Sequence, residues 1–137
     1  MALTVLEFPA MFIAAHKLEF PALYDRRYPV HQVAERLEPY LRVIVERFQP
    51  EKIILFGSYA CGHPDKHSDF DLLVIRRRFA SEKESNMAIR HAFWDVPGDR
   101  PGFTLITKTP EQIAERLAIG SPFYTDISGN GLEVYAA

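Results

Sequence analysis

"KIILFGSYACGHPDKHSDFDLLVI", Lys52 to Ile75, is the stretch on which the reading turns. A short run rich in Ile, Leu and Phe is stopped by Gly57 and followed by Ser58; a second apolar run, Phe70 to Ile75, carries Asp69 and Asp71 at its start. Both runs read as β-strands. The second is apolar at successive positions, as a central strand with both faces covered would be. Carboxylates in such a strand are costly to bury unless something neutralises them. Side chains two apart leave a strand on the same face, so Asp69 and Asp71 form one anionic patch. Like charges that close raise each other's proton affinity unless a divalent cation sits between them. Mg²⁺ suits the pair, because it takes one or two carboxylates and completes its shell with water and substrate phosphates.

Ser58 follows a glycine that ends a strand, where a helix is expected to open, so backbone N–H groups there face an incoming anion. Gly57 has no Cβ, which lets the backbone come close to a phosphate. Gly57 and Ser58 would hold a terminal phosphate, and Asp69 and Asp71 the metal carried by the same triphosphate. "GSYACGHP" also approaches a P-loop, but His63 and Pro64 stand where Lys and Ser or Thr are required. That reading is excluded.

The rest of the chain supplies helices. Val33, Leu37, Leu41, Ile44 and Phe48 recur at helical spacing, with Pro39 expected to kink the helix or to open a second one. A further helix is expected from about Ser81 to Trp94. "VPGDRPG" then breaks the chain and "FTLIT" supplies a third strand. Thr109, Pro110 and Gln112 form a capping-box start for the next helix, which Gly120 stops. A last short helix opens at Ser121-Pro122, and "GNG" turns into a closing strand, "LEVYAA". The fold class is α/β, a small sheet with helices packed against it. The first thirty residues carry "LEFPA" twice, Leu6 to Ala10 and Leu18 to Ala22, read as two short helical pieces that cover apolar surface.

The composition excludes several classes. At 137 residues with 47% hydrophobic and 25% charged, the chain is one ordinary globular unit. A formal charge of −2 gives no footprint for long nucleic acid. "PAMFIAA" is too short to span a bilayer and lacks the basic flank of a secretory signal, so neither membrane nor export is expected. The lone Cys61 fits a reducing compartment, and the cytoplasm is the default. Cys61, His63 and His67 match no closed zinc pattern and read as exposed loop residues. Arg76, Arg77 and Arg78 read as a solvated strand end.

Gly-Ser, ten residues, then Asp-x-Asp, complete here at Gly57, Ser58, Asp69 and Asp71, resembles the signature of the minimal nucleotidyltransferases of the DNA polymerase β-like superfamily. The approach "P.KIILFGS" from Pro50, Ala60 and Gly62 after the Ser, Ser68 before the first Asp, and "DLLV" after the second resemble the family as well. The likeness covers Val30 to the C-terminus, which sets residues 30–137 apart as a minimal nucleotidyltransferase domain behind a helical extension, 1–29. It implies a small mixed sheet flanked by helices, with Asp69 and Asp71 as catalytic metal ligands and Gly57 and Ser58 as nucleotide binders. The implied reaction transfers a nucleoside monophosphate from ATP or another NTP to a hydroxyl, with Mg²⁺ and loss of pyrophosphate. Many small members look like antitoxins that modify a tyrosine on a helical HEPN-type partner. A homo-oligomer is left open.

One position departs from the family. A third Asp is expected in the strand before "TPEQ", and Thr104 stands there. A neutral hydroxyl cannot serve as base or anionic ligand. Either Asp95 or Asp99, just upstream, supplies the missing oxygen through a shifted register, or the protein binds nucleotide and partner and catalyses slowly or not at all. The alternative function is therefore a toxin-neutralising binding module with a decayed nucleotide pocket.

Overall fold

A computed structural model describes residues 19–137. Four strands, β1 (Lys52–Phe56), β2 (Phe70–Ile75), β3 (Phe103–Lys108) and β4 (Leu132–Ala136), form one sheet in the order β3-β2-β1-β4. β1 runs antiparallel to β2 and to β4, whereas β2 and β3 are parallel. A tight turn can join antiparallel strands, but parallel neighbours need a crossover. Here that crossover is α3 (Glu82–Phe93), whose N-cap Ser81 accepts from the Glu84 amide. The fold is thus the expected mixed α/β sheet flanked by helices.

Period-two alternation divides the apolar residues between two layers. Ile53, Leu55, Phe70, Leu72, Val74, Leu105 and Val134 are buried in the larger core, together with Leu37, Leu41 and Ile44 of α1 (Ala34–Phe48) and Ile89 of α3. The opposite face carries Leu73 and Ile75, packed with Tyr124 and Ile127 of α5 (Pro122–Asn130) and flanked by Ile54, Phe56, Ile106 and Ile113. Ile113 belongs to α4 (Pro110–Ala118), which starts at the Thr109 capping box as read. β2 is central, and its apolar character on both faces follows from that position.

Two local expectations change. α1 is a single helix with Pro39 inside it, preceded by a 3-10 stretch, Pro29–Val33, so Pro39 opens no second helix. Burial of Leu37, Tyr40, Leu41 and Ile44 on one side outweighs the one backbone donor that proline lacks. The last helix runs further than its turn signal suggested, through Asn130; Gly131 ends it, donating its amide to Ile127 O at 2.8 Å. A Cβ on Gly131 would lie 2.5 Å from that same oxygen, which is why glycine stands there. The first "LEFPA" copy lies outside the described residues; in the second, Pro21 opens a 3-10 turn, Pro21–Tyr24, beside fully buried Phe20 and Leu23.

β3 is an edge strand, and α3 covers it residue by residue. At steps of four along the helix, Glu82 accepts from the Thr107 amide at 3.2 Å, Asn86 donates to Leu105 O at 3.0 Å and Arg90 donates to Phe103 O at 2.8 Å. Buried Thr107 joins in by donating to Asn86 Oδ1 at 2.7 Å and accepting from Ser85 Oγ at 3.1 Å. An edge whose backbone groups are already bonded is a poor template for a further strand. The same bonds fix β3 beside β2, which positions the site. Among the described residues no helix is long and apolar enough to cross a membrane.

Candidate functional site

β1 delivers the chain to Gly57, whose φ of +75° and ψ of −155° suit glycine alone. The one-turn helix α2 (Ser58–Cys61) begins at once. Its internal hydrogen bonding starts with the Ala60 amide, which donates to Gly57 O at 3.0 Å, so the Ser58 and Tyr59 amides face outward from its first turn. Tyr59 and Ala60 are buried, and the Tyr59 ring stacks on Phe70 with centroids 4.6 Å apart. That stacking ties the helix to the start of β2, the strand that carries the carboxylates.

Asp71 pairs across β1 with Phe56 and, on its other side, with Thr104 of β3. A Cβ built on Gly57 would lie 2.0 Å from Asp71 Oδ2, so the carboxyl rests where the missing side chain would be. Gly102, just ahead of β3, repeats the arrangement with Asp69: its Cβ would lie 2.0 Å from Asp69 Oδ1. The Gly102 carbonyl accepts from the Phe70 amide at 3.0 Å, which holds the two segments together. Two glycines from separate segments therefore flank the pair, and Gly57, Ser58, Asp69 and Asp71 meet at one end of the sheet. The sequence reading took "VPGDRPG" only as a break and missed Gly102. Its sole signal was a glycine one residue before a strand.

Burial pushes the Asp71 carboxyl above its ordinary range; a hydrogen bond from Thr104 opposes this, and the charge of Asp69 adds to it. A carboxylate destabilised in this way gains from a nearby cation. The donor set fits one divalent ion that arrives with a polyphosphate: two carboxylates on one face, beside glycines that leave room. Among the described residues no cluster of three His, Cys, Asp or Glu side chains forms, so the remaining ligands would be phosphate and water oxygens.

Thr104, where the sequence likeness leads one to expect a third carboxylate, is the register partner of Asp71, and its hydroxyl favours the charged form of that carboxyl. The shifted-register alternative meets two ion pairs. Asp95 Oδ2 lies 2.6 Å from Arg47 Nη1, and Asp99 Oδ2 lies 3.6 Å from Arg36 Nη2. Both arginines belong to α1, which packs on the sheet face opposite to that of Asp71, and the Asp99 carbonyl is itself held by the Tyr40 hydroxyl. Asp69 is the carboxylate whose charge acts on Asp71. The structure brings neither upstream Asp to the pair.

Of the other sequence candidates, Cys61 ends α2 with its amide donating to Gly57 O at 3.1 Å and its thiol 3.9 Å from the same oxygen, and like His63 and His67 it is exposed. Arg76, Arg77 and Arg78 follow the far end of β2, roughly 16 Å along the strand from Asp71 at about 3.3 Å per residue. Arg76 is half-buried between Phe48 and Phe79 and donates to Ser85 Oγ at 2.8 Å, while Arg77 pairs with Glu51.

A family profile described as "Nucleotidyltransferase domain" matches residues 37–120, more than half of the chain. No curated protein matches the chain closely enough to serve as a named relative. The matched span holds the Gly57–Ser58 bend, both carboxylates, Thr104 and three of the four strands, and the chain belongs to the nucleotidyltransferase domain family.

Proposed function

We propose that this chain is a Mg²⁺-dependent nucleotidyltransferase that moves a nucleoside monophosphate, AMP from ATP, onto a hydroxyl of a protein partner. The acceptor in this reading is a tyrosine of a helical HEPN-type protein, which the chain neutralises as an antitoxin in the cytoplasm. Family membership supports nucleotidyl transfer as the general chemistry. The observation that carries the finer reading is the seating of the Asp71 carboxyl over Gly57: it puts a metal-binding oxygen beside the bend that would receive the phosphates.

Gly57 and Ser58 would take the phosphate tail through outward-facing amides and the Ser58 hydroxyl. Asp69 and Asp71 would hold Mg²⁺, which when bound neutralises charge on the phosphates. A bond forms between the acceptor oxygen and the α-phosphorus as the bond to the bridging oxygen of the β-phosphate breaks, and pyrophosphate leaves towards Gly57. The acceptor proton passes to a carboxylate of the pair or to water, because Thr104 is no base.

A second reading is favoured by one specific observation, the Thr104 hydroxyl in place of the third carboxylate. In it the chain binds nucleotide and partner but transfers slowly or not at all. The deciding experiment incubates the full chain with Mg²⁺, α-labelled ATP and the helical protein encoded beside it, and repeats this with Asp69→Asn and Asp71→Asn. Label on the partner that disappears with both variants supports the transferase. Neutralisation without label, undiminished in the variants, supports the binding module and overturns catalysis.

A further inference from the structure

The side of α3 away from the core holds residues that the transfer site does not use. Lys83, Met87, Arg90, His91 and Trp94 recur at three- and four-residue steps, and Met87 and Trp94 are 60% and 65% exposed. Behind Trp94 lies a cavity of about 300 Å³ lined by Tyr40, Arg90, Phe93, Trp94, Arg100 and Phe103. The Arg100 guanidinium stacks on the Trp94 ring, 4.2 Å from its centroid. Gly102 also borders this cavity, and a Cβ on that glycine would meet the Asp69 carboxyl, so one glycine separates the cavity, on the α1 side of the sheet, from Asp69 on the other.

Three cations on this surface are not matched by carboxylates of the chain. Arg27, Arg36, Arg42, Arg47, Lys52, Arg77 and Lys108 each pair with a carboxylate. Lys83, Arg90 and Arg100, like Arg26, Lys66, Arg76, Arg78 and Arg116, form no ion pair among the described residues, and only these three gather beside an exposed Trp and Met; Arg90 and Arg100 donate to backbone carbonyls. Trp, Tyr, Met and Arg are the residues enriched where proteins bind one another.

We propose that this α3 surface and its cavity dock the protein that accepts the nucleotidyl group, through a segment in which acidic residues flank an aromatic anchor. The acidic residues meet Lys83, Arg90 and Arg100, and the anchor enters beside Trp94. The assignment of the bound protein as the acceptor rests on the transfer reading above; the docking surface itself does not. In-line displacement brings the acceptor from the side opposite the leaving pyrophosphate. With the phosphate tail at Gly57 on the β1 side, that side is the β3 edge, which α3 covers. The stripe from Lys83 to Trp94 extends roughly 16 Å at about 1.5 Å per helical residue, longer than a nucleobase and suited to a peptide segment.

The test pans a displayed library of random twelve-residue peptides on the full chain without nucleotide. Enrichment of sequences with Asp or Glu around Tyr, Phe or Trp is expected. The synthetic consensus peptide should then lose at least tenfold in affinity with Trp94→Ala and with Arg100→Ala, and keep its affinity with Asp69→Asn. Enrichment of basic or uncharged peptides, no enrichment, or a consensus indifferent to both α3-side substitutions would overturn the proposal. So would displacement of the peptide by ATP without Mg²⁺, which would make the cavity a nucleobase site. Should Trp94→Ala fail to fold, Trp94→Phe and Arg100→Gln with a native melting profile provide the same comparison. Loss of label transfer in Asp69→Asn with peptide affinity intact separates failure of the transfer reading from failure of this one.

Discussion

Gly57→Ala tests the geometry of the site most directly. At φ +75° and ψ −155° the position lies where an L side chain costs about 1–3 kcal/mol of backbone strain. The added methyl would also fall 2.0 Å from Asp71 Oδ2 and 3.0 Å from its Cγ, so the carboxyl has to leave its seat. Asp71 is half-buried in a central strand between Phe56 and Thr104, which restricts where it can go. Strain and displacement together place the expected loss at about 2–3 kcal/mol. For a chain of this size each kcal/mol lowers the midpoint by about 3–4 °C, a fall of roughly 6–12 °C.

Gly102→Ala is the matched comparison. Its methyl would lie equally close, 2.0 Å from Asp69 Oδ1, but the Gly102 backbone is not left-handed and Asp69 is exposed and free to turn away. The expected loss is under about 1 kcal/mol, or less than about 4 °C. Both variants should weaken Mg²⁺-dependent ATP binding, since each moves one carboxylate of the pair. Ligand-free thermal unfolding followed by circular dichroism, with titration calorimetry for ATP and Mg²⁺, measures the two effects separately. Gly57→Ala melting with the wild type, or Gly102→Ala melting as low as Gly57→Ala, would refute the account of how the two glycines seat the carboxylates.

Thr104→Asp places a third carboxylate beside Asp71 and should raise both Mg²⁺ affinity and the rate of label transfer to the partner; unchanged values would mean that position 104 limits neither. Asp71→Asn should raise the midpoint of the metal-free protein at pH 7, because burial holds the folded-state pKa of Asp71 above its unfolded value and its ionisation therefore works against the fold as pH rises through the folded pKa. Below the unfolded value of 3.8 both states carry a neutral group and the advantage should vanish, so melting curves across pH 3 to 8 check the sign. Tyr24→Phe removes the hydroxyl that donates to Glu38 Oε2 at 2.5 Å, a carboxylate that is 6% exposed, and should cost about 1.5–3 kcal/mol by urea unfolding. Thr109→Ala opens the capping box of α4 and should cost about 1 kcal/mol in the same assay.

What the sequence made legible was local, and each legible feature has a local cause. β1 and β2 could be read because apolar runs end at Gly57 and begin beside Asp69, residues that mark strand ends wherever the strands lie in the sheet. α4 could be read because both halves of its capping box sit within four residues of each other. The four site residues could be nominated together because a fixed spacing between Gly-Ser and Asp-x-Asp carries the chemistry of a phosphate and its metal. At Pro39 the sequence left a kink and a second helix both open: a missing donor argues for a break, and only the burial of four neighbouring apolar side chains against the sheet outweighs it.

The features that escaped depend on which strand lies beside which. Gly102 has no meaning until β3 lies parallel to β2, since only that register brings Asp69 over it. Glu82, Asn86 and Arg90 look like an ordinary solvated stripe until β3 is known to be an edge whose amides and carbonyls need partners. Asp95 and Asp99 were reasonable candidates for a missing carboxylate by distance along the chain, yet a parallel crossover sends their loop to the arginines of α1. The same crossover explains why Thr104 has no upstream acid beside it. β3 enters from the α1 side and offers the site only its alternate residues, Thr104 and then Ile106, neither of which is ionisable. A third carboxylate beside Asp71 must therefore come by mutation at position 104 or from the bound partner.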